Sequence, residues 1–354
     1  MAEKTYGNDR EFLARHLNLT ELRRGEQRLL LTADLQGRVL TSTADGDEGY
    51  SFGWLNYDLI SSGRTLPHCN NWGGEDRFWL GPEGGQYSLF FPKGTDFSFE
   101  QWQTPSPIDT EAWELVSSSD TEALFRKDTE FTNTAGTVLK CRLERRVVLE
   151  DAPAGAPDGV KCIRFRTENS ITNTGSFAWT RETGMPSIWI LGQFTPSENN
   201  CITIPYRPAE GCAINDRYFG RIEAERLADL GDRLIFKADG RKRGQIGIPY
   251  DMTVPKVWAL DADKGVLTVA EFSMPAEKRP YVNSMWEYQQ EPFSGDVLNT
   301  YNDGPLEDGS IMGPFYELES SSPAAALAPN ERLTHIHTTT HYTGAAELLK
   351  NIAE

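Results

Sequence analysis

Short runs in which apolar and polar residues alternate make up most of the chain, and Gly and Pro clusters separate them. Alternation with a period of two, together with β-branched and aromatic residues, is typical of β-strands. Residues 29–40 contain two short apolar runs around Asp34 and Gly37, which predict a hairpin or a bent strand. The other predicted strands are residues 113–116, 122–131, 137–149, 161–171, 187–194, 233–238, 257–260, 265–274, 315–320 and 332–342.

Helical periodicity is scarce by comparison. Residues 9–17 and 345–352 each predict one short amphipathic helix. Many short strands without long helices between them predict an all-β fold in which antiparallel sheets pack face to face. Because no linker or low-complexity segment divides the chain, we expect a single domain over residues 1–354, with residues 1–28 as an N-terminal extension that carries the first short helix.

The balance of charge narrows the classes of partner. The chain of 354 residues has 52 acidic against 35 basic residues and a formal net charge of -17. Binding to nucleic acid or to an anionic membrane requires a clustered positive surface, so this charge argues against both partners and favours a neutral or weakly charged ligand. Five cysteines without any CxxC pair predict buried free thiols rather than a disulfide framework.

No apolar run is long enough to cross a membrane, and the N-terminal residues lack the apolar stretch of a signal peptide. The sequence as it stands therefore predicts no membrane insertion and a cytoplasmic location. If a signal peptide has been removed from the N-terminus, the protein would instead be periplasmic or secreted.

Residues 70–92, NNWGGEDRFWLGPEGGQYSLFFP, concentrate glycine pairs, aromatic residues and three adjacent charges. Indole faces can stack on the C–H patches of a sugar, while carboxylate and guanidinium groups form bidentate hydrogen bonds with its hydroxyls. The segment is therefore a candidate sugar-binding loop. The alternative is a glycine-rich turn whose tryptophans belong to the core and whose charges face water. The candidate binding residues are Trp72, Glu75, Asp76, Arg77 and Trp79.

Two carboxylates, Glu317 and Glu319, lie in the predicted strand 315–320. Because side chains two residues apart share one face of a strand, the two acids point the same way. If both were desolvated, their repulsion would raise one pKa towards neutrality, as a carboxylate that exchanges protons requires. The alternative is that this face of the strand is simply exposed to solvent.

His335 and His337 share a face of the last predicted strand in the same way. Two imidazoles at this spacing can chelate a transition metal. However, no third ligand is identifiable, and threonines fill the surrounding positions. A polar strand surface is therefore the favoured interpretation, and no metal site is predicted.

A second polar and aromatic stretch, residues 281–301, contains Trp286 and Glu287. Its similar character to residues 70–92 predicts that the two stretches line one cleft. Trp189, within an apolar run, is either a stacking wall of that cleft or part of the core. The chain lacks the dinucleotide, Walker, nucleophile-elbow and metalloprotease motifs, so no cofactor is predicted.

The GGEDRFWLGPEGG segment, the TNTG turn after a middle strand and the closing FYELESSSPAAALAPNE resemble the galactose mutarotase-like superfamily. In particular, the chain is similar to a bacterial branch of that superfamily known only as a domain of unknown function. The resemblance extends over about residues 29–342. It implies a β-supersandwich with one or two short peripheral helices and a ligand cleft on the concave face of one sheet. A monosaccharide or the end of a glycan would bind there.

In the aldose 1-epimerases of this superfamily, a carboxylate near the C-terminus takes the proton from the anomeric hydroxyl and a histidine protonates the ring oxygen. By position, the resemblance implies that Glu319 is the base, with Glu317 as the alternative, and that Arg77 holds the sugar. The stretch that corresponds to the histidine motif, residues 186–194, contains no histidine, which leaves His68 as a candidate that could approach the cleft.

Three hypotheses follow for the function. The first is a carbohydrate-binding protein that epimerises a sugar with Glu319 as the general base. The second is a carbohydrate-binding module that retains the cleft without catalysis. The third and weakest is a metal-dependent enzyme that uses His335 and His337.

Overall fold

A computed structural model describes residues 4–306 and 309–353, and within these ranges the chain forms eighteen strands and three α-helices. The strands are β1 Leu19–Arg24, β2 Gln27–Thr32, β3 Arg38–Thr43, β4 Arg77–Gly81, β5 Glu114–Ser118, β6 Glu122–Thr132, β7 Val138–Leu149, β8 Lys161–Asn173, β9 Ser187–Phe194, β10 Cys201–Pro205, β11 Leu227–Asp229, β12 Arg233–Lys237, β13 Gly244–Pro249, β14 Lys256–Asp261, β15 Val266–Phe272, β16 Asp296–Asn302, β17 Tyr316–Ser321 and β18 Arg332–Thr343. The helices are α1 Tyr6–Leu13, α2 Tyr57–Ser62 and α3 Ala346–Ala353.

The strands form three antiparallel sheets. A ten-stranded sheet has the order β11-β12-β10-β14-β15-β18-β8-β7-β6-β5, a five-stranded sheet has the order β13-β16-β17-β9-β4, and β1, β2 and β3 form a third. The predicted all-β fold with large antiparallel sheets and short helices is therefore confirmed. The described residues include no helix long and apolar enough to cross a bilayer.

The apolar core lies between the ten-stranded and five-stranded sheets. Strand β7 shows why the sequence folds in this way, because its residues alternate between exposed or half-exposed and buried along its whole length. Its buried side chains, such as Leu143, join those of Phe165 in β8 and Ile188 and Ile190 in β9 in one cluster. All five cysteines are free, as predicted, although only Cys141 and Cys162 are buried and the other three are partly buried.

Buried polar groups also connect the two large sheets. The Asp76 carboxylate forms an ion pair with Arg145, and both side chains are fully buried. Thr167 Oγ1 donates to Asp76 Oδ2 over 3.0 Å, and Arg145 Nη1 donates to Asn169 Oδ1 over 3.0 Å. Because a buried ion pair is stable only when its remaining polar atoms have partners, this network fixes how the sheets face each other.

Residues 4–28 contain helix α1 and strand β1 and pack against the rest of the fold. Thr5 caps α1 by accepting a hydrogen bond from the Asn8 amide, and α1 buries Tyr6 and Leu13. Strand β1 then pairs with β2 along its full length. A short helix is present in this region, as predicted, but it begins at Tyr6 and ends at Leu13 instead of extending over residues 9–17.

Candidate functional site

The five-stranded sheet has one apolar face in the core and one polar face under surface loops. The register places Arg77 of β4 opposite Leu191 of β9, Leu191 opposite Glu319 of β17, and Glu319 opposite Asn299 of β16. Since every second residue of a strand shares a face, Trp79, Trp189 and Glu317 lie on the same side as this row. The sheet therefore gathers the candidate residues of β4, β9 and β17 on one surface.

Arg77 forms the centre of this surface. Its Nη2 donates to Glu317 Oε1 over 2.6 Å, and both side chains are almost fully buried. The guanidinium carbon of Arg77 lies 4.4 Å from the centroid of the Trp79 ring, and the Trp79 and Trp189 rings meet edge to face at 5.6 Å. Three of the predicted binding residues thus lie together beside a predicted catalytic carboxylate.

The two carboxyls on β17 have different surroundings. Glu319 Oε2 accepts a hydrogen bond of 2.9 Å from Trp189 Nε1. Burial, followed by the neighbouring charge of Glu317, raises the pKa of Glu319 well above its ordinary value. Burial also raises the pKa of Glu317, but the charge of Arg77 opposes that shift. The pKa of Glu319 is therefore shifted upward without a cation in contact among the described residues, whereas the upward shift of Glu317 is opposed by the guanidinium beside it.

Two further carboxyls that the sequence did not single out line the same surface. Burial raises the pKa of Glu83 to about 7, against the opposing charge of Arg243. Burial likewise raises the pKa of Asp296 to about 6, although its Oδ2 accepts hydrogen bonds from Tyr218 at 2.7 Å and Asn215 at 3.1 Å. Glu83 lies in residues 70–92 and Asp296 in residues 281–301, the two polar and aromatic stretches. The sequence feature that could have identified each of them as a site residue is an acid directly beside a glycine.

Several buried polar atoms on this surface have no hydrogen-bond partner in the described part of the chain. They are Arg77 Nε and Nη1, Trp79 Nε1, Ser187 Oγ and Gln193 Oε1. Buried polar groups without partners are rare in folded proteins, because each one loses its hydrogen bonds to water. Their concentration here indicates a surface prepared for a polar ligand or for bound water.

Loops cover this surface closely. The cavity between Glu83, Trp189 and Asp296 has about 10 Å³ of space, which is room for about one water molecule. One cover is the segment between β10 and β11, from which Tyr218 bonds to Asp296. Phe219 of the same segment lies under the Arg243 guanidinium, whose carbon is 3.7 Å from the ring centroid. The cavity would admit a ligand larger than a water molecule only if its cover moved.

The two polar and aromatic stretches pack against each other, as predicted. Gln86 Nε2 donates to the Gln289 carbonyl over 2.9 Å, and the Gln289 amide donates to Gln86 Oε1 over 3.1 Å. A Cβ on Gly84 would lie 2.3 Å from the Met285 carbonyl oxygen. At Gly84, the missing side chain therefore makes room for the neighbouring loop rather than for a ligand.

Trp286, from the second stretch, stands at the edge of this region. Its ring lies 5.7 Å from that of Trp102 and 5.1 Å from that of Phe91. The neighbouring Glu287 is exposed to solvent. Of these two predicted binding residues, only Trp286 therefore packs with other aromatic rings next to the site.

Three other predicted binding residues lie elsewhere, which corrects their assignment. Asp76 pairs with Arg145 between the sheets, and Glu75 Oε2 accepts from Ser42 at 2.8 Å and lies 2.9 Å from His341 Nε2. Trp72 belongs to a separate apolar cluster that also contains residues of α1 and α2. Glycines at positions 73 and 74 with positive φ turn the chain between Trp72 and β4, so strand alternation does not extend back to these residues.

His68 also lies apart from the two glutamates. Its Nδ1 is 2.5 Å from the Trp102 carbonyl oxygen, and its ring centroid is 4.7 Å from that of the exposed Phe99. Within residues 4–306 and 309–353, no contact joins His68 to Glu317 or Glu319. The side chain predicted as a candidate acid is therefore not part of the carboxyl cluster.

His335 and His337 face the core instead of solvent. His335 Nε2 and His337 Nδ1 each lie 2.8 Å from the Ser320 hydroxyl oxygen. Burial lowers the pKa of both imidazoles to about 3, so both are neutral. The described residues contain no group of three or more His, Cys, Asp or Glu that could hold a metal ion. The geometry gives the metal hypothesis no support.

A family model described as a family of unknown function (DUF6786) matches residues 4–354. The chain belongs to this family. No curated protein matches this DUF6786 protein in sequence.

Three solved structures are similar to the DUF6786 protein. The Slr1438 protein from Synechocystis has a TM-score of 0.58 at 13% identity over 92% of this chain and 96% of its own. A galactose mutarotase-like protein from Lactobacillus casei has a TM-score of 0.53 at 10% identity over 92% and 100%. A galactose mutarotase related enzyme from Lactobacillus acidophilus has a TM-score of 0.53 at 9% identity over 93% and 98%. At such identities these similarities establish the fold, and they confirm the resemblance to mutarotase-like proteins.

Proposed function

We propose that this DUF6786 protein binds a sugar on the polar face of its five-stranded sheet and exchanges protons with it through Glu319. The observation that carries the proposal is the pair of buried carboxyls, Glu317 and Glu319, beside Arg77 and two indole rings. A mutarotase-like fold is consistent with this placement.

The binding part of the proposal rests on the unpartnered atoms. Arg77 Nε and Nη1 and Trp79 Nε1 are donors for sugar hydroxyl oxygens, and Gln193 Oε1 is an acceptor for a sugar hydroxyl. Trp189 lies beside them and adds an apolar face on which a pyranose ring can stack. A sugar would therefore satisfy polar groups that are otherwise buried without partners.

The catalytic part rests on the pKa values. In epimerisation at the anomeric carbon, a carboxylate takes the proton of the anomeric hydroxyl and an acid protonates the ring oxygen. The bond between the anomeric carbon and the ring oxygen then breaks, and closure on the other face reverses these steps. The ionised form of Glu319 serves as the base. Glu83, whose pKa of about 7 suits proton donation near neutrality, supplies the acid in place of a histidine.

The test is an NMR measurement of anomer exchange and of saturation transfer with a panel of aldoses and uronic acids. We expect enhanced exchange with at least one sugar. Glu319→Gln should reduce the rate by about a hundredfold or more, because it removes general base catalysis, and should leave binding largely intact. Glu114→Gln, on exposed strand β5, is the matched control and should leave the rate unchanged.

A non-catalytic sugar-binding module is the second candidate. The observation that favours it is that His68 lies apart from the carboxyls, so no histidine is in contact with them in the described residues. In that case saturation transfer would appear without exchange, and Glu319→Gln would have no turnover to remove. If no sugar in the panel either binds or exchanges, both candidates fail.

A further inference from the structure

An open groove adjoins the covered carboxyl site. It has a volume of about 590 Å³, within the range of pockets that hold small-molecule ligands. Asp296 lines both this groove and the small cavity beside Glu83 and Trp189. A ligand in the groove would therefore lie next to the small cavity, which is also lined by Glu83 and by Trp189, the hydrogen-bond partner of Glu319.

Aromatic side chains form one part of the groove. Tyr250, Tyr281 and Phe293 all line it. Tyr281 is buried, yet its hydroxyl has no hydrogen-bond partner among the described residues. A buried hydroxyl that lines an open groove without a partner points to a polar ligand there.

The charges of the groove differ from those of the chain as a whole. Arg181, Lys278 and Arg279 line it, and Asp251, which accepts a hydrogen bond from Lys278, is its one acid besides Asp296. The Arg181 guanidinium lies 5.1 Å from the Phe293 ring centroid. Neither Arg181 nor Arg279 has an ion-pair partner within the described ranges. Guanidinium groups without an ion-pair partner suit the bidentate binding of a carboxylate.

We infer that the groove binds a uronic acid residue of an acidic oligosaccharide whose neighbouring residue occupies the carboxyl site. This inference rests on the proposed function and deepens it, because it names an oligosaccharide with a carboxylate as the ligand class. The acidic composition of the chain favours a neutral ligand, and a neutral sugar residue still fits the carboxyl-rich site. The negative charge of the ligand lies instead at Arg181 and Arg279 in the groove.

The test is calorimetric titration of the full chain with trisaccharides in which one galacturonic, glucuronic or mannuronic acid residue is linked to two neutral sugar residues. The methyl ester of each trisaccharide keeps the sugar chain and removes the charge. We expect at least one free acid to bind about tenfold or more tightly than its ester, since a hydrogen bond to a charged group is strong. Arg181→Gln and Arg279→Gln should each remove most of that preference. Arg15→Gln, an exposed arginine outside the groove, should retain it.

The outcomes separate the two proposals. Equal affinity for acid and ester, or a preference that survives both arginine variants, overturns the groove inference and leaves the proposed function standing. If the preference for the free acid depends on Arg279 but Trp189→Ala leaves trisaccharide binding unchanged, the ligand does not occupy the proposed carboxyl site. Tighter binding of a 6-sulfated galactose trisaccharide than of the uronates replaces carboxylate by sulfate as the recognised group. If no trisaccharide binds at millimolar concentration, the groove inference is wrong.

Discussion

At the scale of single residues, the site depends on Arg77, which forms an ion pair with only one of two neighbouring acids. Glu317 and Glu319 lie two positions apart on one strand, but only Glu317 contacts the guanidinium. Glu319 bonds to a neutral indole N–H instead. The two carboxyls therefore have different environments, and such differences are what separate the pKa values of neighbouring acids in many active sites.

The first prediction concerns this ion pair. Arg77→Met should lower the free energy of unfolding by about 3–5 kcal/mol, because it leaves the charge of Glu317 buried without its partner. The double variant with Glu317→Met should regain most of that loss, since neither charge remains. Urea unfolding of the three proteins measures both effects.

A matched control uses an exposed pair of the same type. Arg142→Met removes the partner of Asp128 on the surface of the ten-stranded sheet, where both side chains are exposed. We expect a loss below about 1 kcal/mol there. If Arg77→Met is no more destabilising than Arg142→Met, the buried pair does not have the importance assigned to it.

At the scale of strands and loops, the sequence predicts most strands of the ten-stranded sheet better than those of the five-stranded sheet, which carries the candidate site. The bounds of β9 agree with the prediction, and those of β7 differ by one residue at the start. Strand β7 alternates between buried and more exposed residues, and β9 is mostly apolar, so both patterns are easy to identify in the sequence. Six of the described strands were missed: β1 in the three-stranded sheet, β10 and β11 in the ten-stranded sheet, and β4, β13 and β16, which are three of the five strands of the five-stranded sheet. Both faces of that sheet are buried, one by the core and the other by loops, so polar site residues interrupt the apolar pattern that identifies a strand.

Part of the site could still be found from the sequence. The period of two on β17 correctly placed Glu317 and Glu319 on one face, and Arg77, from the other candidate segment, contacts Glu317. Glu83 and Asp296 could not be selected from the sequence as site residues, because their raised pKa values depend on burial by loops distant in sequence. Likewise, nothing local to Glu75 indicates that it bonds to a serine and a histidine of other strands.

The second prediction tests the contact between the two loops. In Gly84→Ala, the new Cβ would meet the Met285 carbonyl oxygen at 2.3 Å, so the loops must separate. We expect a loss of about 1–3 kcal/mol in the free energy of unfolding, as overpacking typically costs. Gly244→Ala is the control, since its nearest neighbours lie at an ordinary 3.4 Å. Equal thermal stability of the two variants would contradict this role of Gly84.

The third prediction concerns the covering segment. Tyr218→Phe removes the hydrogen bond to Asp296 and should favour the open arrangement that admits a ligand. Because only the open form binds, we expect the apparent affinity for a panel sugar to rise severalfold. Calorimetry of the variant beside the wild type measures this. A lower affinity would mean that the Tyr218 hydroxyl binds the ligand instead of closing the site.

At the scale of the whole molecule, the buried acids fall into two sets, those with an ion-pair partner and those without one. Asp76 and Arg145 satisfy each other between the sheets, and removing either would expose the other to an apolar interior. Burial raises the pKa of Asp76 as well, but the charge of Arg145 opposes that shift, whereas Glu83 and Asp296 have no ion-pair partner among the described residues and have pKa values of about 7 and about 6. Groups that reduce the stability of the folded state are typical of functional sites, where chemistry rather than stability determines the residue.

The last prediction uses the pH dependence of stability to separate these two sets. Glu83 has an ordinary pKa of 4.5 when unfolded and one of about 7 when folded, so between these values the folded state binds more protons. Stability therefore falls as the pH rises from 4.5 to 7, and Glu83→Gln removes that loss. At pH 8 the free energy of unfolding of the variant should exceed that of the wild type by up to about 3 kcal/mol, with little difference at pH 4.

Glu150 is the control of opposite sign. Its pKa is lowered, despite burial, by its bonds to Arg164 and Arg166, so Glu150→Gln should be less stable than the wild type at pH 8. Urea unfolding at both pH values decides the matter: if Glu83→Gln also destabilises the protein at pH 8, Glu83 belongs with the structural charges and not with the site.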